Sequence, residues 1–93
     1  MQITTDTGFT CELDADLLDD WEFMDAAFTV SESENRTEAL NMGRYLINHM
    51  LPKEDADRLK EHCRSLDGGR LRATRMETEI TDIFTKMGID SKN

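Results

Sequence analysis

Histidine, cysteine and proline are scarce in this sequence, and each shortage argues against a class of protein. The two histidines, His49 and His62, leave little material for a histidine-based catalytic or metal site. The two cysteines, Cys11 and Cys63, lack CxxC spacing, which argues against a zinc knuckle or redox motif. We expect buried free thiols, although a disulfide would form if folding brought their Cα atoms within about 7 Å. One proline and five glycines are too few for a linker-rich or disordered chain.

Long apolar runs are also missing. No stretch approaches the roughly 18 apolar residues of a membrane span, and the N-terminal residues lack the basic start and apolar core of a signal peptide. Hydrophobic residues make up 38% of the chain, which is enough for a core. The composition therefore predicts a single domain over residues 1–93, in the cytoplasm and without membrane contact.

Negative charge is concentrated in the first part of the chain. Residues 1–40 hold eleven acids and one base, for a charge of −10, whereas residues 41–93 hold nine acids and ten bases, for a charge of +1. Nucleic acid binding needs a clustered positive surface, so we expect no nucleic acid partner. The acids either serve solubility alone or form an acidic face for a basic partner protein.

Residues 1–13 predict a β-hairpin. Ile3 to Thr5 favour a strand, Asp6-Thr7-Gly8 supplies turn chemistry, and apolar and polar residues alternate from Phe9 to Leu13. The alternation places Phe9, Cys11 and Leu13 on one face. A two-stranded sheet is marginally stable alone, so this face is expected to pack on helices.

Residues 14–88 predict four helices, which makes the fold mainly α. Asp14 is expected to cap a first helix that continues to about residue 30. Its apolar residues recur at steps of three and four and predict one buried stripe, formed by Leu17, Leu18, Trp21, Met24, Ala27 and Phe28. Residues 31–35 contain no apolar side chain and predict a loop.

The other three helices have clear boundary signals. The second is predicted from about Thr37 to Met50, and Gly43 within it either weakens the helix or marks a close packing contact. The third begins near Pro52 and ends at Asp67-Gly68-Gly69. Thr74 has the capping-box spacing from Glu77 for the fourth, which ends before a frayed tail predicted over residues 89–93.

No set of residues suggests catalysis or a cofactor. His62 and Cys63 are adjacent and point about 100° apart on a helix, which disfavours joint metal ligation. The acids of residues 14–25 lack the glycine that a calcium loop requires, and residues 67–69 lack the frame of a phosphate-binding loop. We therefore predict a protein that is not an enzyme and has no catalytic, cofactor or metal site.

Basic residues form one concentration, which consists of Lys60, Arg64, Arg70, Arg72 and Arg75. Two interpretations stay open: pairing with the acidic first helix, within one chain or between subunits, or a contact between the basic end of one copy and the acidic end of the next, which would produce a homo-oligomer. The six methionines either fill the core or line a groove for a partner helix.

Several segments together resemble a known family. They are GFTCELD at residues 8–14, LLDDWEFMDA at 17–26, KEDADRLKEHCRSLDGGR at 53–70, ETEITDIFTKMG at 77–88 and the final SKN. This order resembles the small tail assembly chaperones of tailed phages and prophages of Gram-positive bacteria. The resemblance implies a protein of the host bacterial cytoplasm that is absent from the virion. It also implies binding of the tape measure protein during tail assembly.

The family has no binding-residue motif to transfer, so the partner-binding residues are predicted from their chemistry. They are Trp21, Met24, Phe28 and Tyr45 as apolar contacts, with Arg70, Arg72 and Arg75 as charge partners. Each apolar residue is also compatible with the core, and burial preferences favour the interior for Trp21. The alternative function is an acidic phage-encoded inhibitor, a DNA mimic that binds a host protein; its support is the charge of residues 1–40.

Overall fold

A computed structural model of the protein describes residues 1–89. The fold is a small mainly α domain with an antiparallel N-terminal hairpin, as predicted. Its elements in chain order are β1 (Gln2–Thr4), β2 (Thr10–Glu12), a 3₁₀ turn (Ala15–Asp19), α1 (Trp21–Glu32), α2 (Arg36–Met50), α3 (Lys53–Leu66) and α4 (Ala73–Met87). Among residues 1–89, no helix has the length and apolarity needed to cross a bilayer.

The hairpin has the predicted position and the predicted buried face. Ile3 pairs with Cys11, and the turn is closed by a backbone hydrogen bond of 2.8 Å from the N–H of Thr5 to the carbonyl of Phe9. Gly8 has a φ of 98° in this turn, a conformation that glycine adopts without strain. Phe9, Cys11 and Leu13 are all buried, so one face of the hairpin belongs to the core.

The predicted first helix is confirmed over α1, but its predicted start near Asp14 is wrong, because the chain breaks the helix at Asp20. Asp14 caps only the 3₁₀ turn, by accepting a hydrogen bond from the N–H of Asp16. Asp20 is extended, with φ −96° and ψ 111°, and its carboxylate accepts from the N–H of Phe23 as the N-cap of α1. Leu17 and Ala27 of the predicted stripe are buried, whereas Leu18 and Trp21 are exposed. The other buried side chains of α1 are Phe23 and Ala26, which the stripe did not include.

The remaining helices agree closely with the predicted ranges. Asn35 caps α2 by accepting from the N–H of Glu38, and Gly88 ends α4 with a φ of 96°. The predicted capping box is wrong: α4 begins at Ala73, one residue before Thr74, and no side chain caps it. The frayed tail is wrong at Ile89, which is buried and whose N–H bonds the carbonyl of Phe84. Residues 90–93 of that tail lie outside the described residues.

The core is formed where the four helices and the hairpin meet, and its largest fully buried apolar side chains are Phe23, Leu46, Leu59 and Ile83. Cys11 and Cys63 are buried free thiols, which confirms that prediction. Burial raises the pKa of both, that of Cys63 to about 11, so neither is a reactive thiolate at neutral pH.

The tip of the hairpin is held on α4 by a small charged cluster. The carboxylate of Asp82 accepts from the backbone N–H of Asp6 at 2.7 Å and from Nζ of Lys86 at 2.9 Å. Lys86 also donates to the carboxylate of Asp6 at 2.8 Å. Burial alone would raise the pKa of Asp82, but these hydrogen bonds and the Lys86 charge lower it overall from its ordinary value of 3.8.

Asp82→Asn is therefore expected to weaken the fold by about 1 kcal/mol at pH 7, and the loss should depend on pH. Because the pKa of Asp82 is lower in the folded state, its carboxylate stabilises the fold at pH values above its ordinary pKa of 3.8. This contribution is lost as the pH falls through the pKa of the folded state. Urea unfolding between about pH 7 and pH 2 should show a shallower acid decline for the variant than for the wild type. Asp57→Asn, at an exposed ion pair with Lys53, is the control and should change stability by less than about 0.5 kcal/mol. Parallel acid profiles for wild type and Asp82→Asn would contradict the expected role of this carboxylate.

Candidate protein-binding surface

Trp21 is the most exposed large apolar side chain of residues 1–89, with 81% of its surface accessible. The expectation that its size would bury it is wrong. The cause is local: Asp20 starts α1 immediately before the tryptophan, so the indole lies in the first turn, on the side away from Phe23. Leu18, in the 3₁₀ turn that precedes it, is also exposed.

Tyr45 lies beside this turn although it belongs to α2. Its ring stacks on His49, with 5.2 Å between the centroids, and His49 Nε2 donates to the Asp20 carboxylate at 3.0 Å. Partial burial raises the pKa of Tyr45, and so do the negative charges of Glu22 and Asp20. Because these two acids flank Trp21 in the chain, the tyrosine belongs to the same surface.

The Asp20–His49 contact links the first turn of α1 to the second helix. The hydrogen bond from His49 and the N–H of Phe23 lower the pKa of the Asp20 carboxyl. The His49 ring also stacks on Phe23, at 6.4 Å between centroids, so the polar link lies directly over the core. The residues near Trp21 are therefore held in place, Asp20 by His49 and Phe23 by the core.

The acidic residues that precede and follow Trp21 in the chain include four with no cationic partner within residues 1–89. Asp16, Asp19, Glu22 and Asp25 are exposed, and none takes part in the ion pairs of this part of the chain. We name the exposed side chains Leu18, Trp21 and Tyr45, together with these four acids, the Trp21 surface. An apolar centre with a polar rim is the usual anatomy of a protein interface, and tryptophan and tyrosine are enriched at its energetic centre.

The other predicted contact residues have different environments. Met24 and Phe28 are half-buried and pack against the core. Arg75 pairs with Asp67 at 3.2 Å, and this hydrogen bond raises the pKa of the guanidinium. Arg70 and Arg72 are exposed in the turn between α3 and α4. Of the predicted set, the structure brings Tyr45 close to the Trp21 turn and shows a partner for Arg75 within the same chain.

Sequence reasoning missed a buried polar network at the hairpin tip. Thr7 Oγ1 donates to Glu79 Oε1 at 2.6 Å and lies 2.9 Å from His62 Nε2. The single hydroxyl proton of Thr7 is committed to Glu79, so Nε2 carries the proton that it donates to Thr7. Glu79 is only 1% exposed. A signal was present in the sequence, because residue 79 lies three after Met76 and four before Ile83 and therefore falls on the apolar face of α4.

The arrangement of this network suits a role in holding the hairpin on the helices. Glu79 Oε2 receives no hydrogen bond from any group of residues 1–89, and Oε1 depends on Thr7 alone. In the same part of the chain, no three or more His, Cys, Asp or Glu side chains are grouped so as to hold a metal ion. The network joins β-turn, α3 and α4, and so fixes the hairpin against two helices.

Comparisons with known proteins found no relative of this chain. The chain matches no protein-family model, no curated protein and no solved structure. Inference about function therefore depends on the residues and on their arrangement in the fold.

Proposed function

We propose that the protein is a binding module that holds an apolar, positively charged segment of another polypeptide on the Trp21 surface. The observation that carries the proposal is the 81% exposure of Trp21 at the capped start of α1. An exposed indole contributes nothing to the core and is a cost to solubility, so its presence is most simply explained by a partner that covers it. The surrounding acids favour a partner with lysine or arginine beside its apolar residues.

The resemblance in sequence suggests which partner this is. A tail assembly chaperone binds the tape measure protein, and we propose this role in the cytoplasm of the bacterial host. The small size, the acidic first half and the exposed apolar surface all suit a protein that covers an aggregation-prone segment until assembly. In this proposal the protein acts by binding alone, without catalysis, cofactor, nucleic acid or membrane contact.

The test is binding to the tape measure protein of the same phage or prophage, measured by titration calorimetry. Trp21→Ala should weaken binding about 30-fold or more, the usual loss at an interface hot spot. Its thermal stability should be unchanged, since the indole makes little contact with the core. Leu66→Ala removes a half-exposed leucine at the end of α3 and is the matched control, expected to bind like the wild type. Equal affinity of Trp21→Ala and wild type would refute the proposed surface.

The unpaired acids around Trp21 also favour the second candidate, an acidic inhibitor that mimics DNA. Such a protein would bind a host DNA-binding protein mainly through charge. Asp16→Asn combined with Asp19→Asn should then reduce binding more than Trp21→Ala does. The reverse order, with the tryptophan dominant, is expected for the chaperone-like function.

A further inference from the structure

A second apolar surface lies on the other side of the molecule. It is a groove of about 390 Å³ lined mainly by residues of α2, of α4 and of the turn before α4. Its apolar lining includes Leu40, Gly43, Ile47, Leu71, Met76 and Ile80. Gly43 lines the groove, and a Cβ placed on it would lie 3.9 Å from Cδ1 of Ile80, so α2 and α4 approach each other closely at this point. The space is suited to a flat aromatic side chain with a few aliphatic neighbours.

The rim of this groove is positively charged. Arg44 and Lys60 line it, while Arg70 and Arg72 flank the lining residue Leu71. None of these four cations takes part in an ion pair of residues 1–89. Glu77 is the one acid of the lining, and its carboxylate already faces Arg36 at 3.8 Å. The groove therefore complements the Trp21 surface in its apolar lining and in the sign of its unpaired charges.

The Trp21 surface and the groove cannot meet within one molecule. On α2, Tyr45 and His49 point about 150° away from the direction of Leu40, Gly43 and Ile47, at the helical spacing of about 100° per residue. One face of α2 thus adjoins Trp21, and the opposite face forms the groove. A contact between the two surfaces needs two copies, and it leaves one surface of each kind free at the two ends of the pair.

We propose that the groove between α2 and α4 binds Trp21 of a second copy, so that the protein associates head to tail. The indole of one copy enters the apolar lining, while Asp19 and Glu22 of that copy face Arg44 and Lys60 of the other. Such a heterologous contact repeats, and it builds rings or helical chains. Trp21 takes part in this contact as it does in the proposed function, but self-association does not require a different protein as partner.

Association can be followed in the purified protein, because Trp21 is the single tryptophan. Between micromolar and millimolar protein at low salt, its emission should shift to shorter wavelength while the mass from light scattering rises. Salt at about 1 M screens exposed charges and should reduce the association at least tenfold. A monomer with solvent-exposed emission at every concentration and salt would overturn the proposal.

A complementation experiment tests the head-to-tail geometry. One variant, Trp21→Ala, lacks the inserted side chain, and another, Arg44→Glu with Lys60→Glu, has a reversed groove. Circular dichroism should show that both keep the helical content of the wild type. Each should be monomeric alone, and their mixture should form a 1:1 pair, since one intact indole and one intact groove remain. Failure to pair in the mixture, or association of either variant alone, contradicts the geometry.

The outcome is separate from that of the proposed function. Light scattering and fluorescence use the isolated protein, whereas the calorimetric test uses the tape measure protein. Arg44→Glu with Lys60→Glu should abolish self-association and leave partner binding intact, because the Trp21 surface is unchanged. Loss of partner binding in that variant would show that the groove, rather than Trp21, receives the partner, and would overturn the assignment of the groove to a second copy.

Discussion

Phe23→Ala is expected to lower the free energy of unfolding by about 4 kcal/mol, the largest effect of any single truncation considered for this fold. The side chain is fully buried, and its ring meets Phe84 edge-on with 6.0 Å between the centroids. Removing it deletes apolar contact and leaves a cavity in a core that a domain of this length cannot easily refill. Because total stability in such domains is about 5–15 kcal/mol, the variant should be close to unfolded at moderate temperature.

Urea unfolding followed by circular dichroism measures this loss, and Phe28→Ala provides a control in the same helix. Phe28 is half-buried, so its truncation should cost about 1–2 kcal/mol. The pair also tests which face of α1 is buried. If the predicted stripe that contains Phe28 formed the buried face in place of Phe23, the order of the two losses would be reversed.

Thr7→Val is expected to cost about 3 kcal/mol, although the change conserves shape and affects a half-buried turn residue. The hydroxyl is the donor to Glu79 Oε1, and Oε2 has no donor within residues 1–89. Valine would leave a buried carboxylate without any hydrogen bond from the described residues, and unpaired buried charges are among the costliest defects in proteins. His62 Nε2–H would lose its acceptor as well.

Two further variants separate this explanation from a simple packing defect. Thr7→Ser retains the hydroxyl and loses one methyl group, so it should cost about 1 kcal/mol or less. Glu79→Leu combined with Thr7→Val removes the carboxylate that the valine leaves unpaired, and should recover most of the lost stability. Chemical denaturation of the four proteins gives the coupling energy directly. Additive losses in the double variant would show that Thr7 does not act through Glu79.

The predicted binding residues differ in how far local reasoning could place them. Tyr45 lies about 100° from the fully buried Leu46 on α2, so the helical period alone left open whether its ring would face the core. The exposure of Trp21 follows from the break at Asp20. In the sequence, an aspartate at this position is compatible both with a charged helix face and with an N-cap. Arg75 is predicted as a charge partner for another protein, whereas its ion pair with Asp67 depends on how α3 and α4 approach each other.

The sequence by itself determined the features that depend on neighbours along the chain. The hairpin follows from alternation around a glycine turn, and the stripe of α4 follows from apolar steps of three and four before Gly88. Tertiary structure alone decided the features that join distant residues. Thr7 meets Glu79 across 72 positions, Asp6 meets Lys86 across 80, and the groove is lined by residues of α2 and α4 together. Periodicity in the sequence does not predict hydrogen bonds and apolar contacts of this kind, because the packing of the helices decides which distant residues meet.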